Sequence, residues 1–231
     1  MQDAPTQDDL NMVRAAAERG VCEAQLIYGQ MLLDGVLLPR NATAALHWFE
    51  RAARGGSVMA MNMVGRCLDQ GWGVVASPSL AAPWFRKAAE KGLDWGMYNL
   101  ATLLTLGSGV PEDKVEALHW YRKAAALGHV KSVNILGGFY EDGWVVAKDM
   151  AVAREHYLRA AEGGDFRGQF NHARMLATAG DVAGALVWLR KVPETATPAF
   201  LAKMKLFFAQ WPAPALRDFA AGLAVYEDST C

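Results

Sequence analysis

Three histidines are the residues whose type most readily points to metal or acid–base chemistry. His47 and His119 stand at the same position in two copies of a repeat, and His156 stands in another copy. The ligands of one metal ion must converge on a point, and so must the groups of an acid–base pair. Histidines separated by whole repeats do not converge. We therefore interpret them as packing residues and predict neither a metal site nor a cofactor.

The cysteines and carboxylates give no stronger sign of catalysis. Cys22, Cys67 and Cys231 have no metal-ligand spacing, and their odd number argues against a disulfide framework. Cys67 stands in an apolar helical stretch, where the expected role is that of a small core residue. The acidic pairs at 8–9 and 227–228 lie near the chain ends, and no nucleophile, phosphate-loop or paired-cysteine motif occurs. We predict that the chain is not an enzyme.

Composition narrows the remaining classes of protein. The 231 residues are 52% hydrophobic and 20% charged, with a formal net charge of −1. Such a chain can bury a core, but it lacks the basic patch expected of a nucleic-acid or anionic-membrane surface. No apolar stretch approaches the roughly 20 residues that cross a bilayer, and residues 1–10 do not resemble a signal peptide. We expect a cytoplasmic protein with no nucleic-acid partner and no membrane insertion.

The dominant feature of the sequence is a repeat with a period of 36 residues. Paired alanines, pairs of aromatic residues and two series of glycines recur at this period. The columns are Ala52-Ala53, Ala88-Ala89, Ala124-Ala125 and Ala160-Ala161; Trp48-Phe49, Trp84-Phe85, Trp120-Tyr121 and His156-Tyr157; Gly35, Gly71, Gly107 and Gly143; and Gly56, Gly92, Gly128 and Gly164. Agreement in this many columns indicates a tandem-repeat protein.

Each repeat is predicted to contain two helices, A and B. In the first repeat, helix A spans about residues 24–34 and helix B about 41–55. Asp113 and Glu116 have the spacing of a capping box at the start of the third helix B. Pro83 predicts that the second helix B kinks or starts late. Residue types that favour N-caps stand at the start of each helix B: Asn41, Ser77, Asp113 and Asp149.

One column of helix A holds only small residues, which should let paired helices approach closely. Large aromatic residues are expected to fill the space between layers. The small residues are Gly29, Gly65, Ala101, Gly137 and Ala173.

The array is predicted to form a single repeat domain over residues 1–231. Residues 1–23 are an N-terminal half-repeat or cap, and 24–59, 60–95, 96–131 and 132–167 are full repeats. Residues 168–193 are a fifth repeat that is four residues shorter between its helices, and 194–231 are C-terminal capping helices. The apolar stretch 200–210 leaves a homodimer contact open as an alternative to capping.

The third repeat carries the fullest version of the pattern. Its matching residues are Leu100, Gly107-Ser108-Gly109-Val110, Asp113, Ala117, Trp120-Tyr121, Lys123-Ala124-Ala125 and Gly128. This pattern resembles the Sel-one-like repeat family, a relative of the tetratricopeptide repeat, with about five repeats over residues 8–192. The resemblance implies an all-α fold, namely an α/α superhelical solenoid of antiparallel helix pairs. It also implies a protein-binding adaptor or scaffold.

By analogy with tetratricopeptide proteins, the A helices are expected to line a concave groove that binds a protein or peptide. Trp72 and Trp144, in the turns between helices A and B, are expected to pack over helix ends, and Trp95 is the preferred aromatic contact. The candidate partner-binding residues are Gln30, Asn62, Arg66, Asp69, Trp95, Tyr98, Thr102, Asn134, Glu141, Phe170 and Arg174.

Two alternative functions stay open. The first is a bacterial immunity or regulatory protein that neutralises a toxin or an enzyme. The second is an enzyme that binds or hydrolyses β-lactams. The resemblance suggests it because some secreted, cysteine-rich members of the family are associated with that activity. The second relies on export and on a disulfide in each repeat, and the sequence shows neither.

Overall fold

The computed structural model describes residues 6–223, and all regular structure in that range is helical. The chain forms two compact units, one ending at Leu127 and the other beginning at Gly128. Cys231, the acidic pair 227–228 and the end of the last predicted helix lie outside the described residues.

The first unit contains a single helix followed by three A/B pairs. Within this unit, helices that follow one another in the chain pack against each other. The helices are α1 (Gln7–Glu18), α2 (Cys22–Asp34), α3 (Ala42–Arg54), α4 (Val58–Gln70), α5 (Pro78–Glu90), α6 (Asp94–Leu106) and α7 (Lys114–Ala126).

The second unit contains two A/B pairs, a 3-10 turn and two further helices. In this unit α9 packs against α8 and α10, while α13 packs against α12 and α11. The elements are α8 (Val130–Asp142), α9 (Met150–Glu162), α10 (Phe166–Thr178), α11 (Val182–Leu189), the 3-10 turn Val192–Glu194, α12 (Pro198–Ala209) and α13 (Pro214–Gly222).

The repeat position of helix A that holds only small residues packs against an aromatic ring of helix B. A Cβ added to Gly29 would come within 2.7 Å of the Phe49 ring, and one added to Gly65 within 2.6 Å of the Phe85 ring. Phe49 and Phe85 are 0% and 2% exposed. Because the glycines have no side chain, the rings fill the space beside them. Such pairing of small and large residues keeps the interior densely packed.

Cap residues at the start of helix B behave largely as their types predict. Asn41 accepts a hydrogen bond from the Ala44 N–H at 2.9 Å, and Asp149 accepts from two backbone N–H groups. Ser77 makes no such bond, and its Oγ lies 3.1 Å from the Ser79 Oγ.

The capping box predicted at Asp113 and Glu116 does not form, and that prediction is wrong. Asp113 does accept from the Glu116 N–H at 2.8 Å. The return bond is missing because the Asp113 N–H already donates to the Leu104 carbonyl, at 2.9 Å. The Glu116 carboxylate instead accepts from Arg86 at 2.6 Å, which links α7 to α5.

Pro83 does not delay the second helix B, contrary to one form of the prediction. Helix α5 begins at Pro78, the repeat position at which α3 begins, and runs through Pro83 to Glu90. Pro78 is the first helical residue, where the missing N–H of proline is harmless.

Turns between helices A and B close onto the preceding helix B in the first unit. Gly73 has φ +76°, and a Cβ there would overlap backbone atoms of Ala42 and Thr43 at the start of α3. The Thr43 Oγ1 also donates to the Gly73 carbonyl, at 3.3 Å. Gly109, with φ +69°, meets Pro78 and Ser79 of α5 in the same way. Each of these A–B connections therefore covers the first residues of helix B in the preceding repeat.

The C-terminal helices pack onto the fifth repeat. Met204 and Phe208 of α12 and Leu216 of α13 are at most 1% exposed, in one cluster with Leu189 and Val192. The Phe200 ring also contacts Phe166, with ring centroids 4.8 Å apart. Leu206 and Phe207 stay 74% and 41% exposed. The homodimer contact stays a prediction.

Substitution of Gly73 tests the turn closure. We expect Gly73→Ala to lower the free energy of unfolding by more than Gly92→Ala does, with a gap of about 1 kcal/mol or more from overpacking. Gly92 has φ +90° but no atom within 4 Å of an added Cβ, so its substitution carries only the left-handed backbone cost of about 1–2 kcal/mol. Urea denaturation followed by circular dichroism measures both. Equal losses would contradict a close turn contact.

Candidate functional site

An apolar groove of about 490 Å³ lies in the described part of the first unit. We name it the unit 1 groove. It lies between α1, α2 and α4, and the turn after α2 adds Val36. Its lining residues are Asp9, Val13, Leu26, Ile27, Gln30, Met31, Asp34, Val36, Met59 and Met63.

The wall of the unit 1 groove is apolar and partly open to solvent. Ile27, Met59 and Val36 are 41%, 40% and 38% exposed. Asp9 and Asp34 are the acidic lining residues. Among residues 6–223 neither carboxylate has a Lys or Arg within ion-pair distance. Asp9 accepts hydrogen bonds from Thr6, and Asp34 accepts one from Gln30. The groove therefore combines exposed apolar side chains with two carboxylates that are hydrogen-bonded but not ion-paired within the described range.

A more polar cleft of about 310 Å³ shares Gln30 and Asp34 with the groove. The Gln30 side-chain amide donates a hydrogen bond to the Asp34 carboxylate, at 2.7 Å. Arg66 lies over the Trp72 ring, with the guanidinium carbon 4.8 Å from the ring centroid. Trp72 is half-buried against the core, as the expected packing role requires. Gln30 and Arg66 thus line one cleft, and their role in partner binding stays a prediction.

Two predicted contact residues lie inside the helix stack. Asn62 and Asn134 are 3% and 5% exposed. The Asn62 side-chain oxygen accepts from the Asn99 amide at 2.8 Å, and Asn134 accepts from Asn171 at 2.9 Å. Each bond joins neighbouring A helices of one unit. Because a buried amide needs a hydrogen-bond partner, these asparagines hold adjacent repeats together and do not face a partner.

The predicted residues on α6 form an aromatic and hydroxyl cluster. Trp95 is 39% exposed, and its ring meets Tyr98 edge-on at 6.1 Å. Thr102 donates to the Tyr98 carbonyl at 2.9 Å and lies 3.1 Å from the Tyr121 hydroxyl. Asp69, on α4, is half-buried. Trp95 is thus the most exposed aromatic residue among the predicted contacts in this unit.

In the second unit, the predicted residues Glu141 and Arg174 bind each other. Arg174 donates to the Glu141 Oε2 at 2.6 Å, and the Tyr157 hydroxyl donates to the same oxygen at 2.7 Å. Burial acts to raise the pKa of Glu141, but the bonds from Arg174 and Tyr157 outweigh it and the pKa is lowered. The pKa of Tyr157 is raised by burial and by its bond to Glu141. The cluster joins three helices of this unit.

Phe170 is covered by the chain itself. Its ring contacts Phe200 and Phe207 at 5.4 Å and Phe208 at 5.9 Å, all on α12. The predicted partner contact at this position is thus largely occupied by the C-terminal helix. Trp144, a turn residue, meets Phe139 edge-on at 5.6 Å and stays 42% exposed.

Histidines and cysteines do not assemble into a site within the described residues. No group of three or more metal-ligating side chains occurs between residues 6 and 223. The His156 ring stacks on Tyr140 at 5.6 Å. Cys67 is 0% exposed, and burial raises the pKa of its thiol to about 11. Cys22 and Cys67 are both free thiols. In the same range, no helix combines the length and apolarity that crossing a membrane requires.

Sequence reasoning missed most of the unit 1 groove. The predicted face followed the repeat positions of Gln30 and Asn62, whereas Ile27, Met31 and Met63 are groove residues at other positions of the repeat. One residue corresponds to about 100° of rotation around a helix, so a small error in the assumed face exchanges exposed and buried residues. The signal available in the sequence was the presence of apolar residues, Ile27 and Met31, one turn apart on the predicted helix A.

Comparison with known proteins agrees with this geometry. Stacked A/B helix pairs with tight glycine turns define a helical-repeat protein. The family model described as "Sel1 repeat" matches residues 22–57, 58–93, 96–129 and 131–165. The chain therefore belongs to the Sel1 repeat family, which is the predicted Sel-one-like family. No curated protein matches the sequence.

Solved structures share the fold. A Sel1 repeat protein from Oxalobacter formigenes matches with a TM-score of 0.76 and 23% identity, covering 93% of this chain and 98% of that one. A protective antigen of uropathogenic Escherichia coli, described as having an SLR fold, matches with a TM-score of 0.72 and 26% identity. That match covers 92% of this chain and 47% of the antigen. These likenesses confirm the predicted all-α repeat solenoid class.

An immunity protein from Pseudomonas aeruginosa is also similar in fold. Its TM-score is 0.59 at 18% identity, and the match covers 87% of this chain and 79% of that protein. At this identity the likeness extends to the fold alone.

The Glu141 cluster generates a prediction about stability and pH. We expect Glu141→Gln to lower the free energy of unfolding by about 1–3 kcal/mol at pH 7, because Arg174 loses its charged acceptor. The lowered pKa of Glu141 stabilises the fold above the unfolded-state pKa, and this contribution disappears as pH falls through the folded-state pKa. The deficit should therefore shrink as pH falls below about 4.5.

Glu155→Gln is the matched control, since Glu155 is exposed on α9. Urea denaturation at pH 7 and at pH 3 should show a change within about 0.5 kcal/mol for this control. If Glu141→Gln were as stable as the control at pH 7, the cluster would not contribute as described.

Proposed function

We propose that the chain is a protein-interaction scaffold that binds a segment of a protein partner in the unit 1 groove. The observation that carries the proposal is the groove itself, an apolar cavity of about 490 Å³ whose Ile27, Met59 and Val36 side chains remain well exposed. Concave sites lined mostly by apolar side chains, with a few polar groups, are typical of binding sites. Sel1 repeat proteins are generally helical-repeat scaffolds, and members of this class bind proteins.

The chemistry of the groove favours an amphipathic segment as the ligand. Its three methionines, Met31, Met59 and Met63, are flexible and adapt to irregular apolar surfaces. An amphipathic helix places apolar side chains at intervals of three and four residues, which suits an apolar groove between helices. Asp9 and Asp34 favour a Lys or Arg at the edge of that segment, since neither carboxylate has a cation partner among the described residues.

A bacterial immunity or regulatory protein is a second candidate. It is a special case of the first, in which the bound protein is a toxin or an enzyme. Its support is the likeness in fold to an immunity protein from Pseudomonas aeruginosa. Identifying the protein bound in the groove separates the two functions. A toxin or an enzyme that is inhibited on binding would indicate an immunity or regulatory protein, and any other partner would indicate a scaffold.

The β-lactam alternative has less support. It relies on disulfides, and Cys22 and Cys67 are free thiols. Hydrolysis of nitrocefin by the purified chain would favour that alternative over a scaffold.

A pull-down with paired variants tests the groove. We expect proteins retained by the wild-type chain to fall at least about tenfold with Ile27→Asp/Met59→Asp, because charge placed in an apolar contact must be desolvated. Leu80→Asp is the matched control, since Leu80 is 60% exposed on α5 and does not line the groove. Circular dichroism checks that all three chains are equally helical. Equal retention by the groove variant and the control would contradict the proposed site.

A further inference from the structure

The connection between helices A and B is shortened in one repeat, and a cavity lies where the missing turn would pack. Four A/B connections span seven residues each, at 35–41, 71–77, 107–113 and 143–149, whereas the fifth spans only 179–181. In the first unit, the turn residues Gly73 and Gly109 press onto the first residues of α3 and α5. A three-residue connection is too short to reach the corresponding start of α9.

The start of α9 is accordingly left open. Met150 is the first residue of α9 and is 45% exposed, whereas Ala42 and Pro78, at the same repeat position, are half-buried. A cavity of about 230 Å³ lies here, between the N-terminal end of α9 and the C-terminal end of α10. We name it the unit 2 notch. Its lining residues are Met150, Arg154, Arg174, Met175, Thr178 and Ala179.

The charge of the unit 2 notch is positive. Arg154 is exposed and has no carboxylate within ion-pair distance among residues 6–223. Arg174 donates one hydrogen bond to Glu141, which does not line the notch. Asp149 and Asp181 accept hydrogen bonds from backbone N–H groups as the N-caps of α9 and α11, and Glu155, which follows Arg154 in the chain, does not line the notch.

Apolar surface accompanies this charge. Met150, Met175 and Ala179 supply the apolar part of the lining, and Met and Arg are both enriched at protein interfaces. Arginine recognises carboxylates through charge-assisted hydrogen bonds that are stronger than those between neutral groups. The arginines of the notch thus complement an acidic side chain of a ligand, and the methionines complement an aliphatic residue next to it.

We propose that the unit 2 notch binds an Asp or Glu of a protein partner, with the adjoining aliphatic residue seated on Met150 and Met175. The partner segment takes the place of the turn that the fifth repeat lacks. This proposal rests on the proposed function, because it takes the ligand to be a protein segment. It adds a second contact, of opposite charge preference to that of the unit 1 groove.

A peptide titration followed by methionine-methyl NMR tests the notch in the full chain. The probe is acetyl-Leu-Asp-Leu-amide, and acetyl-Leu-Asn-Leu-amide is its uncharged counterpart. Saturable shifts of the Met150 and Met175 methyl signals are expected with the Asp peptide. Affinity should be about tenfold or more weaker for the Asn peptide, since a charge-assisted bond is lost. Arg154→Gln should weaken binding of the Asp peptide to a similar extent.

Arg159→Gln is the matched control, because Arg159 is also exposed on α9 but does not line the notch. It should bind the Asp peptide as the wild-type chain does. The proposal would be overturned by no saturable shift at Met150 and Met175, by equal affinity for the Asn peptide, by unchanged affinity in Arg154→Gln, or by equal affinity for sodium acetate. The unit 1 groove is tested separately, by the pull-down with Ile27→Asp/Met59→Asp, so failure of the notch is distinguishable from failure of the proposed function.

Discussion

The closure of the A–B turns at Gly73 and Gly109 onto the preceding helix B is the contact on which the repeat architecture depends in the first unit. Gly73 approaches the backbone at the start of α3 so closely that no side chain fits, and Gly109 approaches α5 in the same way. The N–H of the residue before each helix B also bonds to a carbonyl of helix A, as from Asn41 to Leu32 at 2.7 Å. A turn held at both sides couples a repeat to its neighbour, which is the nearest-neighbour interaction that stabilises repeat proteins.

Several polar residues of the A helices bond to neighbouring helices and are not available to a partner. Asn62 and Asn134 accept hydrogen bonds from side-chain amides of adjacent helices, and Glu141 pairs with Arg174, whose side chain also lines the notch. Those residues hold neighbouring repeats together. The surfaces left for a partner are instead the exposed apolar side chains of the unit 1 groove and the arginine-lined notch beside α9.

Much of the fold could be predicted from the sequence because its repeat columns reflect local constraints. Ring-over-glycine packing and most helix caps follow from residue type and period. The capping box at Asp113 failed because its N–H is bonded to Leu104, a partner that spacing does not reveal. Asn62 was misplaced because the face of an A helix was assigned by analogy. The groove and the notch depend on which neighbours cover a side chain, and a single repeat does not specify that.

The most direct test of this account is a turn transplant in the second unit. Residues 179–181 are replaced by the seven-residue turn 107–113, and oxidation of Met150 by hydrogen peroxide is followed by peptide mapping. If turn length decides whether the start of the preceding helix B is covered, Met150 should oxidise several-fold more slowly in the transplanted chain. Met12, which is 63% exposed on α1, should oxidise at an unchanged rate. An unchanged rate at Met150 in a chain of normal helicity would contradict the account.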